Sequence, residues 1–189
     1  IAVGAAFMSG LDLFVVNVAF DQIGVSLGVG TDGGPTIADM SWILNIYAVV
    51  YAALLVPLGR IADRYGRKTV FVGGLALFVA ASAACALSGN VWMLVLFRGL
   101  QAAGAAAMTP TSLSILMAAL PPEKRIGGVR MWSATGAAAA ALGPTIGGFL
   151  TGISWHWVFL INLPIGVVLL WLAVRHVRDT EHDEDAKTP

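Results

Sequence analysis

The sequence has few charged residues and a single cysteine, and each shortage excludes a class of protein. Charged residues make up 12% and hydrophobic residues 58% of the 189 residues, whereas a soluble domain has about 25% charged residues. With a mean hydropathy of +0.81, the chain is expected to cross the lipid bilayer several times. Because Cys85 is the only cysteine, an internal disulfide is excluded, and its apolar neighbours predict a small packing residue.

The sequence also gives little support to catalysis, metal binding or nucleic-acid binding. It contains no H-E-x-x-H zinc motif, and its histidines, His156, His176 and His182, lack metal-ligand spacing. The basic residues cluster between apolar stretches, where they set membrane topology, so they do not indicate a nucleic-acid partner. We therefore expect no enzymatic activity, no metal and no cofactor.

Six apolar stretches are each long enough for a helix of about 20 residues that crosses the bilayer. The predicted helices occupy residues 1–21, 40–58, 69–87, 91–118, 128–150 and 157–175. The predicted fold class is therefore an all-α membrane protein with a six-helix transmembrane bundle over residues 1–175. Residues 176–189 are predicted to form a charged cytoplasmic linker, because acidic residues dominate residues 179–185.

The basic residues lie on alternate connections between the predicted helices, and this predicts the orientation of the bundle. All of them except Arg98 fall in residues 60–68, 124–130 and 175–187. The connections on the other side contain no Lys or Arg. By the positive-inside rule, the basic connections and both chain ends are expected in the cytoplasm, with the helices in the plasma membrane or the bacterial inner membrane.

Two charges of opposite sign are predicted to lie within the membrane. A carboxylate at bilayer depth costs about 2.5–3.5 kcal/mol, so Asp12 needs a partner. By helix rise, Asp12 and Arg98 lie at comparable depth, and we expect them to face one cavity and to interact directly or through water. Either Asp12 takes up and releases a proton while Arg98 favours its ionised form, or the two residues form a purely structural ion pair, or Asp12 lies nearer the headgroups than its position in the helix indicates.

A second set of residues is predicted to line a cavity for a small-molecule substrate. The candidates are Gln101, Met108, Ser112, Asn17, Asn45 and Tyr47. The first three follow Arg98 at helical spacing and so share its face, and methionine adapts to ligands of varied shape. For Met108 and Ser112, ordinary packing is an equally good interpretation.

The fifth predicted helix contains a run of small residues interrupted by a proline. Gly136, Gly143 and Gly147 share one face, and small residues four apart allow another helix to approach closely. Pro144 removes a backbone hydrogen bond and bends the helix, and Gly148 extends the run of small residues. Generic tight packing between membrane helices is the alternative to a functional motif.

The connector at residues 59–71 packs five charges between two uncharged stretches. We expect a cytoplasmic gate formed by Gly59, Asp63, Arg64, Gly66, Arg67 and Lys68. The two glycines permit a close turn. An orientation signal does not require the acidic Asp63, so we expect this residue and the arginines to hold another helix end in one conformation and to release it in the other. A solvated basic loop is the simpler alternative.

These stretches together resemble the motifs of one family of membrane proteins. Residues 59–71 resemble the signature loop G-x-L-A-D-R-x-G-R-K of the major facilitator superfamily, with Ile61 in place of leucine. Further stretches that resemble motifs of its first, fourth, fifth and sixth helices are residues 11–19, 98–104, 141–148 and 155–166. The chain is therefore similar to the N-terminal six-helix half of a transporter of the fourteen-helix drug/proton antiporter branch.

The resemblance implies proton-driven export of small amphipathic compounds by alternating access, with two three-helix repeats of inverted topology in this half. It implies that Asp12 and Arg98 couple the protons, which serve as the coupling ion in place of a bound cofactor. It also implies roles for the 59–71 gate and for the helix 5 motif. Ala102, where glycine is usual, and Asp21, where proline is usual, depart from the family pattern.

The chain starts at Ile1 without an initiator methionine and ends at Pro189 after a charged tail, so we expect a fragment that lacks a C-terminal helical half. Two other functions stay open at this point. One is an importer or symporter of a metabolite from the same superfamily, and the other is a membrane sensor or truncated half that does not transport. The glycine and proline motif of helix 5 favours the exporter over the importer.

Overall fold

The computed structural model describes residues 1–177 as a bundle of helices. The helices are α1 (Ala2–Ser26), α2 (Ile37–Tyr65), α3 (Arg67–Ala86), α4 (Val91–Ala119), α5 (Pro122–Ile153), α6 (Trp157–Leu160) and α7 (Asn162–His176). Within the described range, six helical stretches are long and apolar enough to cross a membrane, and α6 and α7 together make the sixth. This confirms the predicted all-α fold with six spans.

The predicted connector at residues 59–71 is helical except at one residue. α2 continues to Tyr65 and α3 begins at Arg67, so only Gly66 lies between them. Gly66 has a φ of 96°, in the left-handed region that glycine adopts without steric cost. Gly59 lies inside α2 and takes no part in the turn, contrary to the prediction. Hydropathy locates the apolar part of a helix, whereas the hydrogen-bonded ladder continues through the charged residues beyond it.

The ends of α1, α2 and α5 also differ from the predicted boundaries. α1 continues to Ser26, and α2 begins at Ile37 behind a capping box in which Thr36 and Asp39 bind each other's backbone N–H groups. α5 begins at Pro122 and not at position 128. Proline is favoured at a helix start because the N–H that it lacks has no partner there.

The sixth span is broken into two helices, where the sequence analysis predicts one. α6 ends at Leu160 and α7 begins at Asn162. Pro164 lies in the first turn of α7, and it has no N–H to donate to the carbonyl oxygen of Leu160, four residues earlier. The interruption therefore falls where a continuous helix would lose a hydrogen bond.

The most extensive helix contacts join α1 to α5, α2 to α4, and α3 to α4. Glycines bring the backbones close together where α3 meets α4 and where α1 meets α5. A Cβ atom added to Gly104 of α4 would lie 2.7 Å from the carbonyl oxygen of Gly74 in α3. In two three-helix repeats of inverted topology, the first, second and third spans correspond to the fourth, fifth and sixth. The contact of α1 with α5 then corresponds to the contact of α4 with α2, and both are among the most extensive.

The two ends of the described chain lie on the same side of the bundle, since Ile1, Ala119 and Val177 line one surface pocket. We call this end the basic face, defined by Arg60, Arg64, Arg67, Lys68, Lys124, Arg125, Arg130 and Arg175. The remaining predicted cytoplasmic cations, Arg178 and Lys187, lie outside the described residues, as does the predicted linker beyond residue 177.

Candidate functional site

A buried ion pair joins α1 to α4 in the interior of the bundle. Nη1 of Arg98 lies 2.5 Å from Oδ2 of Asp12, and neither side chain is accessible to solvent. The structure therefore brings the two predicted intramembrane charges into direct contact. They are sealed between helices and do not line an open cavity here.

Three neutral side chains add hydrogen bonds to the ion pair, whereas Nη2 of Arg98 has no hydrogen-bond partner among the described residues. Gln101 donates from Nε2 to Oδ1 of Asp12 at 2.8 Å and accepts from Nη1 of Arg98 at 2.7 Å. Asn162 donates to the same Asp12 oxygen at 2.8 Å, and the hydroxyl of Ser82 accepts from Gln101 at 2.7 Å. All three side chains are fully buried. We call these five residues the polar network, and it ties together α1, α3, α4 and α7.

Two aromatic rings cover the guanidinium group of the polar network. Cζ of Arg98 lies 4.2 Å from the ring centroid of Tyr47 and 5.9 Å from that of Phe159, both within the range of cation–π attraction. Nε of Arg98 donates to the backbone oxygen of Ile43 at 3.4 Å. α2 and α6 therefore also contact the polar network, and they exclude water from its charges, which strengthens their interactions.

A cavity of about 510 Å³ lies between α1, α2, α4 and α5, and Tyr47 connects it to the polar network. The polar or aromatic residues that line it are Ser9, Tyr47, Tyr51, Thr109, Trp132 and Ser133. The rings of Tyr47 and Tyr51 are stacked with their centroids 6.2 Å apart. The hydroxyl of Tyr51 donates to Oγ1 of Thr109 at 3.0 Å. None of the described lining residues is charged, so the cavity offers rings and hydroxyls to a ligand.

Of the six predicted substrate-cavity residues, only Tyr47 lines this cavity. Gln101 and Met108 are buried in the bundle interior. Asn17 and Asn45 have exposed side chains away from the cavity. A role for these residues in binding the substrate stays a prediction.

Ser112 is also buried, although it contacts the cavity wall through a neighbour. Its hydroxyl accepts a hydrogen bond of 3.1 Å from the indole N–H of Trp132, which lines the cavity. Like Gln101 and Met108, it belongs to the predicted inward-facing stripe of α4. That stripe does face inward, but packed side chains fill the space in front of it.

The small residues of α5 divide between the interface with α1 and the open surface. A Cβ atom at Gly143 would lie 2.5 Å from Cβ of Phe14, and one at Gly147 would lie 3.2 Å from the backbone oxygen of Val15. Pro144 is an exposed residue within the helix.

Gly136 and Gly148 behave differently from the two buried glycines of α5. Both are exposed, and an added Cβ atom would meet no neighbour at either position. Gly136 lines the cavity instead. The predicted close approach of another helix thus involves Gly143 and Gly147.

The predicted gate residues Gly59, Asp63, Arg64, Gly66, Arg67 and Lys68 all lie at the end of α2 and the start of α3. Nη2 of Arg67 lies 3.3 Å from Oδ1 of Asp63, and 39% and 65% of these side chains are exposed. The guanidinium of Arg64 lies 5.5 Å from the ring centroid of Tyr65. Gating by these residues stays a prediction.

The serine-hydrolase pattern G-x-S-x-G occurs at residues 24–28. A nucleophile elbow requires a sharp turn between a strand and a helix, whereas this stretch lies at the end of α1. Within residues 1–177, no group of three or more His, Cys, Asp or Glu residues is placed to hold a metal ion. The polar network is therefore the candidate site that carries chemistry.

Ser82 and Asn162 belong to the site, although neither is among the predicted residues. A buried polar side chain in an apolar span also needs a partner, although the cost without one is smaller than for a charge, and that rule points to Asn162. Ser82 gives a weaker signal because a serine can bond within its own helix. Its hydroxyl donates to the carbonyl oxygen of Phe78 at 2.8 Å.

Comparison with known proteins gives a match over almost the whole sequence. Residues 2–189 match the family model described as "Major Facilitator Superfamily". The chain is 37% identical to the fatty acid resistance protein FarB of Neisseria gonorrhoeae, covering 94% of this chain and 34% of that protein. It is 39% identical to the methylenomycin A resistance protein of Streptomyces coelicolor, over 92% of this chain and 36% of that one.

A third relative is the probable multidrug resistance protein EmrY of Escherichia coli, 35% identical over 94% of this chain and 34% of that protein. The chain thus spans about a third of the length of the curated relatives that it matches.

Among solved structures, the fold is similar to a bacterial homologue of the human lysosomal transporter Spinster in an inward-facing, unoccupied conformation. The TM-score is 0.70 at 22% identity, and the match covers 100% of this chain and 45% of that one. The inward-facing, occupied form of that protein gives a TM-score of 0.69 at 24% identity. At this level of identity the likeness concerns the fold alone.

Proposed function

Because the chain belongs to the major facilitator superfamily, we propose that it is the N-terminal six-helix bundle of a proton-coupled exporter of small amphipathic compounds. The superfamily consists of transporters, which confirms that the chain is not an enzyme. The chain spans about a third of the length of its curated relatives, so the proposal includes a second helical bundle. The two bundles rock about a shared midplane site and expose it to each side in turn.

The observation that carries the proposal is the buried ion pair of Asp12 and Arg98. Replacing a buried ion pair by apolar residues is often neutral or stabilising, so stability alone does not account for its presence in an apolar bundle. An ionisable group inside a membrane span is by default a candidate for a functional site. The pair is also fully desolvated, so a change of charge on either member is felt strongly by its neighbours.

In the proposed cycle, Asp12 carries one proton per turnover. A proton from the outer side forms an O–H bond with the Asp12 carboxylate and cancels its charge, which releases the guanidinium of Arg98 to other partners. On the cytoplasmic side that O–H bond breaks and the proton leaves to water. One charge that crosses about 100 mV releases about 2.3 kcal/mol, which sustains a substrate gradient of roughly fifty-fold.

Tyr47 provides the link between the proton site and the substrate. Its ring stacks against Arg98 on one side and lines the cavity on the other. A substrate that packs on the Tyr47 ring displaces the ring from the position that it adopts while Arg98 is bound to Asp12. Occupation of the cavity and protonation of Asp12 therefore influence each other through one side chain.

The substrate class follows from the lining of the cavity. Aromatic and small apolar residues make up most of the wall, with the hydroxyl groups of Ser9, Thr109 and Ser133 among them. Such a surface suits a compound with an apolar body and a few hydrogen-bonding groups. Three relatives are named for resistance to fatty acids, to methylenomycin A and to multiple drugs, which supports export over import.

We place the basic face of the bundle in the cytoplasm and the protein in the plasma membrane or bacterial inner membrane. Eight cations lie at this face, as the positive-inside rule requires of cytoplasmic connections. The pair of Asp63 and Arg67 at the turn between α2 and α3 then acts at the cytoplasmic gate. Labelling of an Arg64→Cys variant in intact cells with a membrane-impermeant thiol reagent tests this orientation. Reaction of the reagent from outside the cell contradicts the cytoplasmic placement.

Proton flux in everted membrane vesicles tests the proposed exchange. The complete gene that encodes this chain is expressed, and a panel of amphipathic compounds is added to energised vesicles. We expect a transported compound to release protons from the vesicle lumen. The Asp12→Asn variant, which cannot take up a proton, should abolish that release while the protein is still inserted in the membrane. Unchanged coupling in this variant removes the assignment of Asp12 as the proton carrier.

A further inference from the structure

We propose that Asn162 is a positioning residue for the proton carrier, and that it holds the ionised carboxylate of Asp12 from the sixth span. This inference rests on the proposed function, because it assumes that Asp12 gains and loses a proton. It adds a residue outside the predicted site and assigns it a measurable effect on that proton.

The geometry gives Asn162 a direct contact with the reacting group. Its Nδ2 donates to Oδ1 of Asp12 at 2.8 Å and lies 3.5 Å from Oγ of Ser82. The side chain is completely buried, and its Oδ1 has no donor among the described residues. Within residues 1–177, no other hydrogen bond orients its amide group.

Asn162 reaches Asp12 from the start of α7. Asn162 is the first residue of α7, next to the interruption at Ile161 and two residues before Pro164. In a continuous helix, the backbone fixes the direction in which each side chain projects. Ile161 keeps right-handed helical torsions, with φ at −59° and ψ at −28°, so this direction continues into α7 and places the amide of Asn162 in the polar network.

The charged and titratable groups around Asp12 come from three helices. Arg98 of α4 is its ion-pair partner, and Tyr47 of α2 and Cys85 of α3 interact with it electrostatically. The titratable residues of α5 and of the sixth span lie near the ends of those helices. Asn162 is neutral, so it acts on Asp12 through a hydrogen bond to the ionised form, which favours that form over the protonated one.

The Asn162→Leu variant keeps nearly the same side-chain volume and removes the donor. We expect the pH at which half of the Asp12 carboxyls are protonated to move to higher pH by about one unit. The pH profile of export should move in the same direction and by a similar amount.

The test is an infrared titration of the purified product of the complete gene. The carbonyl stretch of protonated Asp12 is assigned by its disappearance in Asp12→Asn and is followed between about pH 4 and pH 9. A band that titrates at higher pH in Asn162→Leu supports the inference. A band that titrates at the same pH in both proteins overturns it and leaves the proton-carrier role intact. If Asp12 does not titrate at all in the unmodified protein, the proposed function fails and the inference with it.

Two further variants separate positioning from packing. Asn162→Gln retains an amide donor in a larger side chain, so positioning predicts a smaller pH shift than in the leucine variant. If Asn162 acts only by packing, Asn162→Gln should disturb the titration more than Asn162→Leu, because the extra methylene overfills a buried site. Gln22→Leu, at an exposed position of α1, is the control for adding a leucine and should leave the titration unchanged. If Asn162→Leu fails to fold, Asn162→Ala removes the donor in its place, and a titration in Asn162→Ala identical to that of the unmodified protein overturns the inference.

Discussion

Two Asp–Arg pairs among the described residues have opposite surroundings. Asp12 and Arg98 meet at 2.5 Å with no exposed side-chain surface, across two helices that are distant in sequence. Asp63 and Arg67 meet at 3.3 Å, largely in solvent and four residues apart. The same two residue types therefore form a sealed pair in the bundle interior and an open pair at the basic face.

This difference shows which charges the rest of the molecule responds to. Solvent and salt screen an exposed pair, and such pairs contribute about 0.2–1 kcal/mol. Removing one partner of a buried pair leaves an uncompensated charge and costs about 3–5 kcal/mol. The interior pair is thus suited to drive a conformational change when its charge changes. The open pair is suited to form and break during that change at little cost.

The largest effect should come from breaking the interior pair. We expect Arg98→Gln to lower the stability of the complete gene product in detergent by about 3–5 kcal/mol, because Asp12 keeps its buried charge without a cation. Thermal unfolding followed by circular dichroism measures this. The double variant Asp12→Asn and Arg98→Gln should recover most of the stability but not the export. A double variant as unstable as Arg98→Gln would contradict the electrostatic explanation.

A smaller effect should follow from alanine substitutions at two glycines of α5. These variants compare a packed position with an open one, as the ion pairs compare a buried charge with an exposed one. Gly143→Ala places a methyl group 2.5 Å from Cβ of Phe14, and overpacking of this kind costs about 1–3 kcal/mol. Gly148→Ala meets no neighbour and should leave the unfolding temperature unchanged or slightly raised. Equal losses in the two variants would mean that helix flexibility, and not the contact of α1 with α5, determines the result.

The smallest effect on stability should come from the open pair. We expect Asp63→Asn to lower the stability by less than about 1 kcal/mol, and the loss should shrink further in high salt. Export should nevertheless fall, if the pair acts at the gate as proposed. Parallel measurements of unfolding and of vesicle transport in low and high salt separate the two effects. A loss of stability as large as that of Arg98→Gln would show that the pair is not solvated as the structure shows it.

The number of spans and the interior pair were predictable because each follows from a large free-energy term. Apolar length decides where a helix can cross the bilayer, and the cost of a lone carboxylate at depth requires a partner for Asp12. The helix ends at Tyr65 and Pro122 were not predictable from hydropathy, since a helix continues through polar residues at no penalty in water. These ends depend on local backbone bonds, which the apolar pattern does not contain.

The composition of the site was only partly predictable, for a related reason. Helical spacing identified the face of α4 that carries Gln101, Met108 and Ser112, but it does not say whether the space before that face is hollow or packed. Asn162 was missed because a neutral amide gives a weaker signal than a charge, although a polar side chain in an apolar span was the available signal. Which face of a helix meets a cavity depends on the other helices, so it required the structure.

The turn at Gly66 restricts how the basic face can move. Consecutive Cα atoms stay about 3.8 Å apart, so Tyr65 and Arg67, on either side of this residue, can never separate beyond about 7 Å. Only the φ and ψ torsions of Gly66 lie between α2 and α3. This joint can alter the angle between them but cannot lengthen, and movement on that side must therefore be a pivot and not a sliding apart.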